Sequence, residues 1–157
     1  MRVISLFSGI GGSSEGYIAA GADVLASVEF LDYQARVYRA NHPETRVYEE
    51  DIRKLDPLEI ISDLGLKVGE LDVLDGSPPC SSFSVSGKGA KGWGKAKSYG
   101  NRKQVTDDLF FEYIRFVDAM PEELRKIGLA YRNNRKRGNI KRSFNKGDQR
   151  NVKRQNT

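Results

Sequence analysis

Four short apolar runs, at residues 3–7, 23–28, 47–48 and 71–74, alternate with stretches of helical spacing, and this alternation limits the possible folds more than any other feature. Each run is too short for a helix and stops at glycine, proline or an acid, as buried strands do. Between them, residues 13–20 read as a short helix with Ser13 or Ser14 as cap and Gly21 as stop. Residues 32–41 read as a second helix, with Tyr33, Val37 and Tyr38 on one face and His42-Pro43 ending it. A third covers Leu58, Ile60, Ile61 and Leu64, with Asp56-Pro57 supplying cap and first turn. Strands that alternate with helices at this spacing predict a parallel sheet flanked by helices, an α/β architecture. A chain of 157 residues suits one such domain.

Open sheets of this kind bind ligands beyond the carboxyl ends of their strands, so the residues after each run are the candidates for chemistry. The first run is followed by Ser8-Gly9-Ile10-Gly11-Gly12, whose glycines permit a tight turn and close approach to a ligand. Strand, glycine turn and helix make a nucleotide-binding beginning, although many glycine turns bind nothing. Glu29 stands at the tip of the second run, 18 residues after Gly11. A carboxylate there can accept from both hydroxyls of a ribose, or simply cap a helix. Asp51 follows the third run and could accept from an exocyclic amine.

The fourth run leads into Gly76-Ser77-Pro78-Pro79-Cys80, which contains the only cysteine. Two consecutive prolines end a sheet ladder and hold the next residue stiffly beyond the strand. A thiol so placed is a candidate nucleophile where thiolate is favoured, and a packed core residue otherwise.

Residues 86–106 carry Lys88, Lys91, Lys95, Lys97, Arg102 and Lys103, five interspersed glycines and no acid. They read as a loop without its own structure, either a mobile lid over a polyanion or a disordered surface segment. Thr106-Asp107-Asp108 then caps a helix with Leu109, Phe110, Tyr113, Ile114, Phe116 and Val117 on its apolar face. A further helical segment is expected from Pro121.

Charge divides the chain. Residues 1–124 hold 14 Lys and Arg against 20 Asp and Glu, and residues 125–157 hold 12 against 1. The closing part reads as a solvated basic arm, either simply disordered or able to meet nucleic acid. One cysteine and one histidine, His42, give no metal cluster, and His42 suits a helix end better than catalysis. No run reaches membrane-spanning length, so the expected setting is cytoplasmic and soluble.

Phe7-Ser8-Gly9-Ile10-Gly11-Gly12, Glu29, Asp51-Ile52, Gly76-Ser77-Pro78-Pro79-Cys80 with Phe83-Ser84, and Leu109-Phe110-Phe111 together resemble the amino-terminal half of the cytosine C5-methyltransferases. Order and spacing match over residues 2–120, and Pro-Pro-Cys is the most specific mark. The resemblance implies a Rossmann-like, S-adenosylmethionine-dependent methyltransferase fold with an incomplete parallel sheet. It implies that Phe7 stacks near the adenine and that Gly9, Gly11 and Gly12 shape the methionine pocket. Glu29 would take the ribose hydroxyls, with Phe30 beside the adenine. Asp51 would accept from the adenine amine, Ile52 would line the ring, and Pro79 and Leu109 would complete the wall. Cys80 would be the nucleophile that adds to cytosine C6. Ser81, Ser84, Lys88, Lys91 and Arg102 would contact the nucleic acid around a base swung out of its duplex. The expected partner is DNA, with RNA left open as the alternative substrate; a prokaryotic or phage source is expected.

After residue 120 the resemblance stops. The family pattern calls for a strand ending in Glu-Asn-Val, where this chain has Pro121-Glu122-Glu123-Leu124. The arginine-rich, target-recognition and closing segments are also missing from the pattern. The chain therefore resembles a truncated or divided methyltransferase, with residues 121–157 foreign to it. A complementing chain is one expected partner, and a non-catalytic remnant that binds cofactor or nucleic acid is the alternative.

Overall fold

The structure, a computed structural model, describes residues 1–67, 69–79, 94–99 and 102–120. The elements run β1 (Arg2–Leu6), α1 (Gly12–Ala19), β2 (Asp23–Val28), α2 (Asp32–Asn41), β3 (Arg46–Tyr48), a 3₁₀ turn (Ile52–Lys54), α3 (Pro57–Asp63), β4 (Val73–Gly76), β5 (Lys97–Tyr99), β6 (Arg102–Gln104) and α4 (Leu109–Ala119). The four apolar runs become one sheet in the order β3-β2-β1-β4, every pair parallel. The α/β expectation therefore holds, with strand ends shifted by a residue or two.

Register sets the working edge of this sheet. Leu6 pairs with Val28 on one side and Gly76 on the other, and Val28 pairs with Tyr48. The four strands thus end level, and the residues after them emerge along one line. Between β1 and β4 the chain order reverses, which is where such sheets open a crevice.

Alternation divides the strands between two apolar clusters. Ile4, Leu6, Ala26 and Val28 pack with Ile60 of α3 and with Leu109, Phe116 and Met120. Val3, Ala22 and Val24 form the other cluster, against Tyr17 and Val73. Tyr38, fully buried on α2, donates its hydroxyl to Ser14 Oγ on α1 at 2.7 Å and ties those two helices together.

Several local expectations change. Neither Ser13 nor Ser14 caps α1: Gly11, at φ 99°, is the cap residue, and Ser14 is buried beneath Tyr38. Tyr33 does not share the buried face of α2; it is 66% exposed, while Ala35 and Tyr38 face inward. Asp107 and Asp108 make no side-chain cap on α4, because tertiary partners claim them. Asp107 accepts from Gly94 N at 2.5 Å, and Asp108 pairs with Arg53. Asp56 does cap α3, accepting from Leu58 N at 2.8 Å.

The largest change concerns residues 86–106. The final third of that stretch is an antiparallel hairpin, β5 against β6, with Lys97 opposite Gln104 and Tyr99 opposite Arg102. The earlier part of the stretch, the helix expected from Pro121 and the basic arm lie outside the described residues.

Candidate cofactor site

A cavity of about 230 Å³ opens at the level edge of the sheet, lined chiefly by Phe7, Gly9, Glu29, Phe30, Ile52 and Pro79 from the loops after the four strands. The sequence predicts each of these. Val28, Leu31, Gln34, Glu50, Ser77, Gln104 and Thr106 complete the lining, and nothing in the sequence singles them out.

Phe7 leaves β1 with φ 55°, a left-handed conformation rarely adopted by a large side chain. That turn sends the next residues back across the sheet edge. Ser8 N donates to Val28 O, and Gly11 N to Ser8 O. Ser8 and Ser27 hydroxyls bond at 2.6 Å. Gly11 is needed twice over: its φ is positive, and a Cβ there would lie 2.4 Å from His42 Nε2. His42 itself is buried at the end of α2 with its ring tilted against Tyr38, in keeping with a packing role. Gly11 and Gly12 shape the turn but do not line the cavity.

Glu29 is the charged centre of the site, 7% exposed. Its Oε2 accepts from Gly9 N at 2.8 Å and its Oε1 from Leu31 N at 2.8 Å. One carboxylate thus fastens the glycine turn of β1 to the exit of β2. Each oxygen retains a further lone pair, so the group can still accept from a vicinal diol facing the cavity.

Asp51 differs from its expected role. It does not line the cavity. Its Oδ1 accepts from Arg53 N and Arg53 Nη1, both at 3.1 Å, and its Oδ2 from Arg53 Nη1 and Gln104 Nε2, both at 3.0 Å. Burial opposes the charge of Asp51, but the hydrogen bonds from Gln104 and Arg53 outweigh it and lower the carboxyl pKa. Glu50, one residue earlier, stands at the cavity and accepts from Asp51 N at 2.8 Å and Lys54 Nζ at 3.0 Å. Leu109 is likewise off the cavity, 1% exposed within the core, because the first turn of α4 points it under the sheet.

Arg102 also departs from expectation. Rather than facing a phosphate, its Nη1 donates to Phe30 O and its Nη2 to Glu49 Oε1, the latter at 2.9 Å. Its guanidinium carbon lies 5.2 Å from the centre of the Phe30 ring. Glu49 is shared, since its Oε2 takes Arg39 Nη1 from α2 at 2.8 Å. Arg102 therefore fastens the hairpin to the rim of the cavity, and Gln104, two residues on, closes its wall. Neither was legible as part of a cofactor site, because the hairpin that carries them has no apolar alternation to announce it.

On the fourth strand, Gly76 has no room for a side chain: a Cβ would meet the Tyr113 ring at 2.5 Å. Tyr113 donates its hydroxyl to Leu74 O at 3.3 Å, and its own pKa is raised by burial and by the charge of Asp75. Helix α4 thus braces the strand that leads into Ser77 and Pro79. Cys80, Ser81, Ser84, Lys88 and Lys91 lie outside the described residues. Among the described residues no group of His, Cys, Asp and Glu could hold a metal ion, and no helix is long and apolar enough to cross a membrane.

Comparison with known proteins agrees with this geometry. The family model described as C-5 cytosine-specific DNA methylase matches residues 1–121. The type II methyltransferase M.DdeI of Desulfomicrobium norvegicum is 34% identical over 117 residues, which are 74% of this chain and 25% of that protein. The DNA-cytosine methyltransferase of Escherichia coli K12 is 35% identical over 130 residues, 75% of this chain and 27% of the relative. Among solved structures, a DNA modification methyltransferase encoded within an E. coli prophage superposes with a TM-score of 0.59 at 25% identity, covering 92% of this chain and 37% of its own. The chain spans about a quarter of the length of these curated relatives.

Proposed function

We propose that this chain, which belongs to the C-5 cytosine-specific DNA methylase family, supplies the methyl-donor site and the nucleophile for methylation of cytosine at C5. The observation that carries it is the join between two features. Pro79 forms part of the cavity wall, and the next residue in sequence is the only cysteine. The thiol is therefore one peptide bond from the wall of the cavity that Glu29 anchors.

S-adenosylmethionine, when bound, would supply an electrophilic methyl group on a sulfonium. Glu29 would hold the ribose hydroxyls through its remaining lone pairs, with Phe7, Phe30 and Ile52 enclosing the base. Gly9, held by the same carboxylate, keeps a backbone surface without a Cβ beside the donor. Cys80 as thiolate adds to cytosine C6, and the electron pair displaced onto C5 lets that carbon take the methyl group. Removal of the C5 proton then restores the double bond and expels the thiolate. DNA is the substrate this chemistry suits, and a cytoplasmic location is the one where a DNA methylase of the bacterial kind would work.

Incorporation of labelled methyl from S-adenosylmethionine into a cytosine-containing duplex tests the assignment. The chain is assayed alone and with a second polypeptide carrying the remaining three quarters of a relative. Incorporation in either arm that disappears in Cys80→Ala is the expected outcome. Incorporation that persists in Cys80→Ala would remove the thiol from the chemistry. Dependence on the second polypeptide would identify the chain as one part of a divided enzyme.

A further inference from the structure

The hairpin places a carboxamide where the sequence led us to expect an acid. Gln104 lines the cavity and Asp51 stands behind it. Four hydrogen bonds fill both oxygens of Asp51, three from Arg53 and one from Gln104. A carboxylate only accepts, so Asp51 permits one orientation of the Gln104 carboxamide: its NH₂ toward Asp51 and its carbonyl oxygen as the group it can offer elsewhere. Turning the amide over would set oxygen against oxygen.

Two further contacts keep Gln104 in place. Arg102 lies two residues away on the same face of β6 and grips Phe30 O and Glu49. On the other side, Arg53 reaches Val105 O at 2.5 Å as well as Asp108. The residue is 9% exposed, so its polar atoms meet few waters.

We propose that Gln104 is the specificity-determining residue of the cavity, accepting a hydrogen bond from the exocyclic amine of the bound base, and that Asp51 is the positioning residue that prevents its carboxamide from flipping. This rests on the reading that the cavity holds the nucleoside part of the methyl donor. It assigns the base-reading contact to the hairpin rather than to the third strand. A base with a carbonyl oxygen in place of the amine would face the Gln104 oxygen and be rejected.

Calorimetric titration of the full chain with S-adenosylhomocysteine and with its inosine counterpart, in which a carbonyl oxygen replaces the amine, tests this. Wild type should prefer the adenosine compound by roughly tenfold or more, the scale of one well-placed hydrogen bond. Gln104→Leu keeps the volume but removes the acceptor. It should weaken the adenosine compound about tenfold, leave the inosine compound little changed, and so erase the preference. Asp51→Asn provides a second readout, because its own amide lets Gln104 turn over: the inosine compound should gain affinity while the adenosine compound still binds. A preference that survives in Gln104→Leu, with unfolding temperature unchanged, would overturn the assignment while leaving the cavity a donor site. Failure of wild type to bind either compound would overturn both.

Discussion

Gly11 shows how tightly single residues fix this site. Its φ of 99° lies in the left-handed region, and a Cβ would meet His42 Nε2 at 2.4 Å and the Tyr38 ring at 3.1 Å. Gly11→Ala should therefore destabilise the fold by about 2–4 kcal/mol, combining backbone strain with overpacking, measured as a lower urea midpoint. Glu29 makes a second such point. Glu29→Gln offers one acceptor oxygen where two backbone N–H groups are now satisfied, and the amide NH₂ would face a donor. The substitution should cost about 1–3 kcal/mol by urea unfolding and weaken donor binding more than tenfold. Glu29 was legible because an acid at the end of a second strand has few other duties. Glu50 and Gln34 were not, since a polar residue near a strand end has no pattern that marks it as facing a cavity.

At the scale of elements, the β5–β6 hairpin is the piece that the sequence hides. Lys-Ser-Tyr and Arg-Lys-Gln are short and polar, so their pairing is fixed by tertiary anchors rather than by an apolar face. Arg102 is one anchor. Arg102→Ala should raise hydrogen exchange at the hairpin amides by at least about tenfold, and Arg102→Lys should restore only part of the protection, because an ammonium cannot bond two acceptors in a fixed fork. Asp51 is the other anchor, and its lowered pKa gives the linkage a sign. A carboxyl whose folded value lies below its unfolded value contributes fully above the unfolded value, about 4, and loses that contribution as pH falls through the folded value. Hairpin protection should thus stay level from neutrality down to about pH 4 and decline only in stronger acid. Asp51→Asn should abolish that decline.

Across the molecule, one geometric fact organises the rest: β3, β2, β1 and β4 end level, so four loops that are distant in sequence meet at one edge. The apolar runs made that sheet legible, because a run of five or six buried residues bounded by glycine or acid has few alternatives to a parallel strand. The identity of the loops that meet was legible for the same reason. Where each side chain points was not: Leu109 turned inward and Asp51 turned toward Arg53, both through contacts between elements far apart in the chain. The most direct measurement of the donor site is equilibrium dialysis of labelled S-adenosylmethionine against the full chain, its Glu29→Ala variant and a Tyr33→Ala control on the exposed side of α2. Stoichiometric retention by wild type and by Tyr33→Ala, lost in Glu29→Ala, is the result expected. No retention by wild type, or retention undiminished in Glu29→Ala, would contradict it.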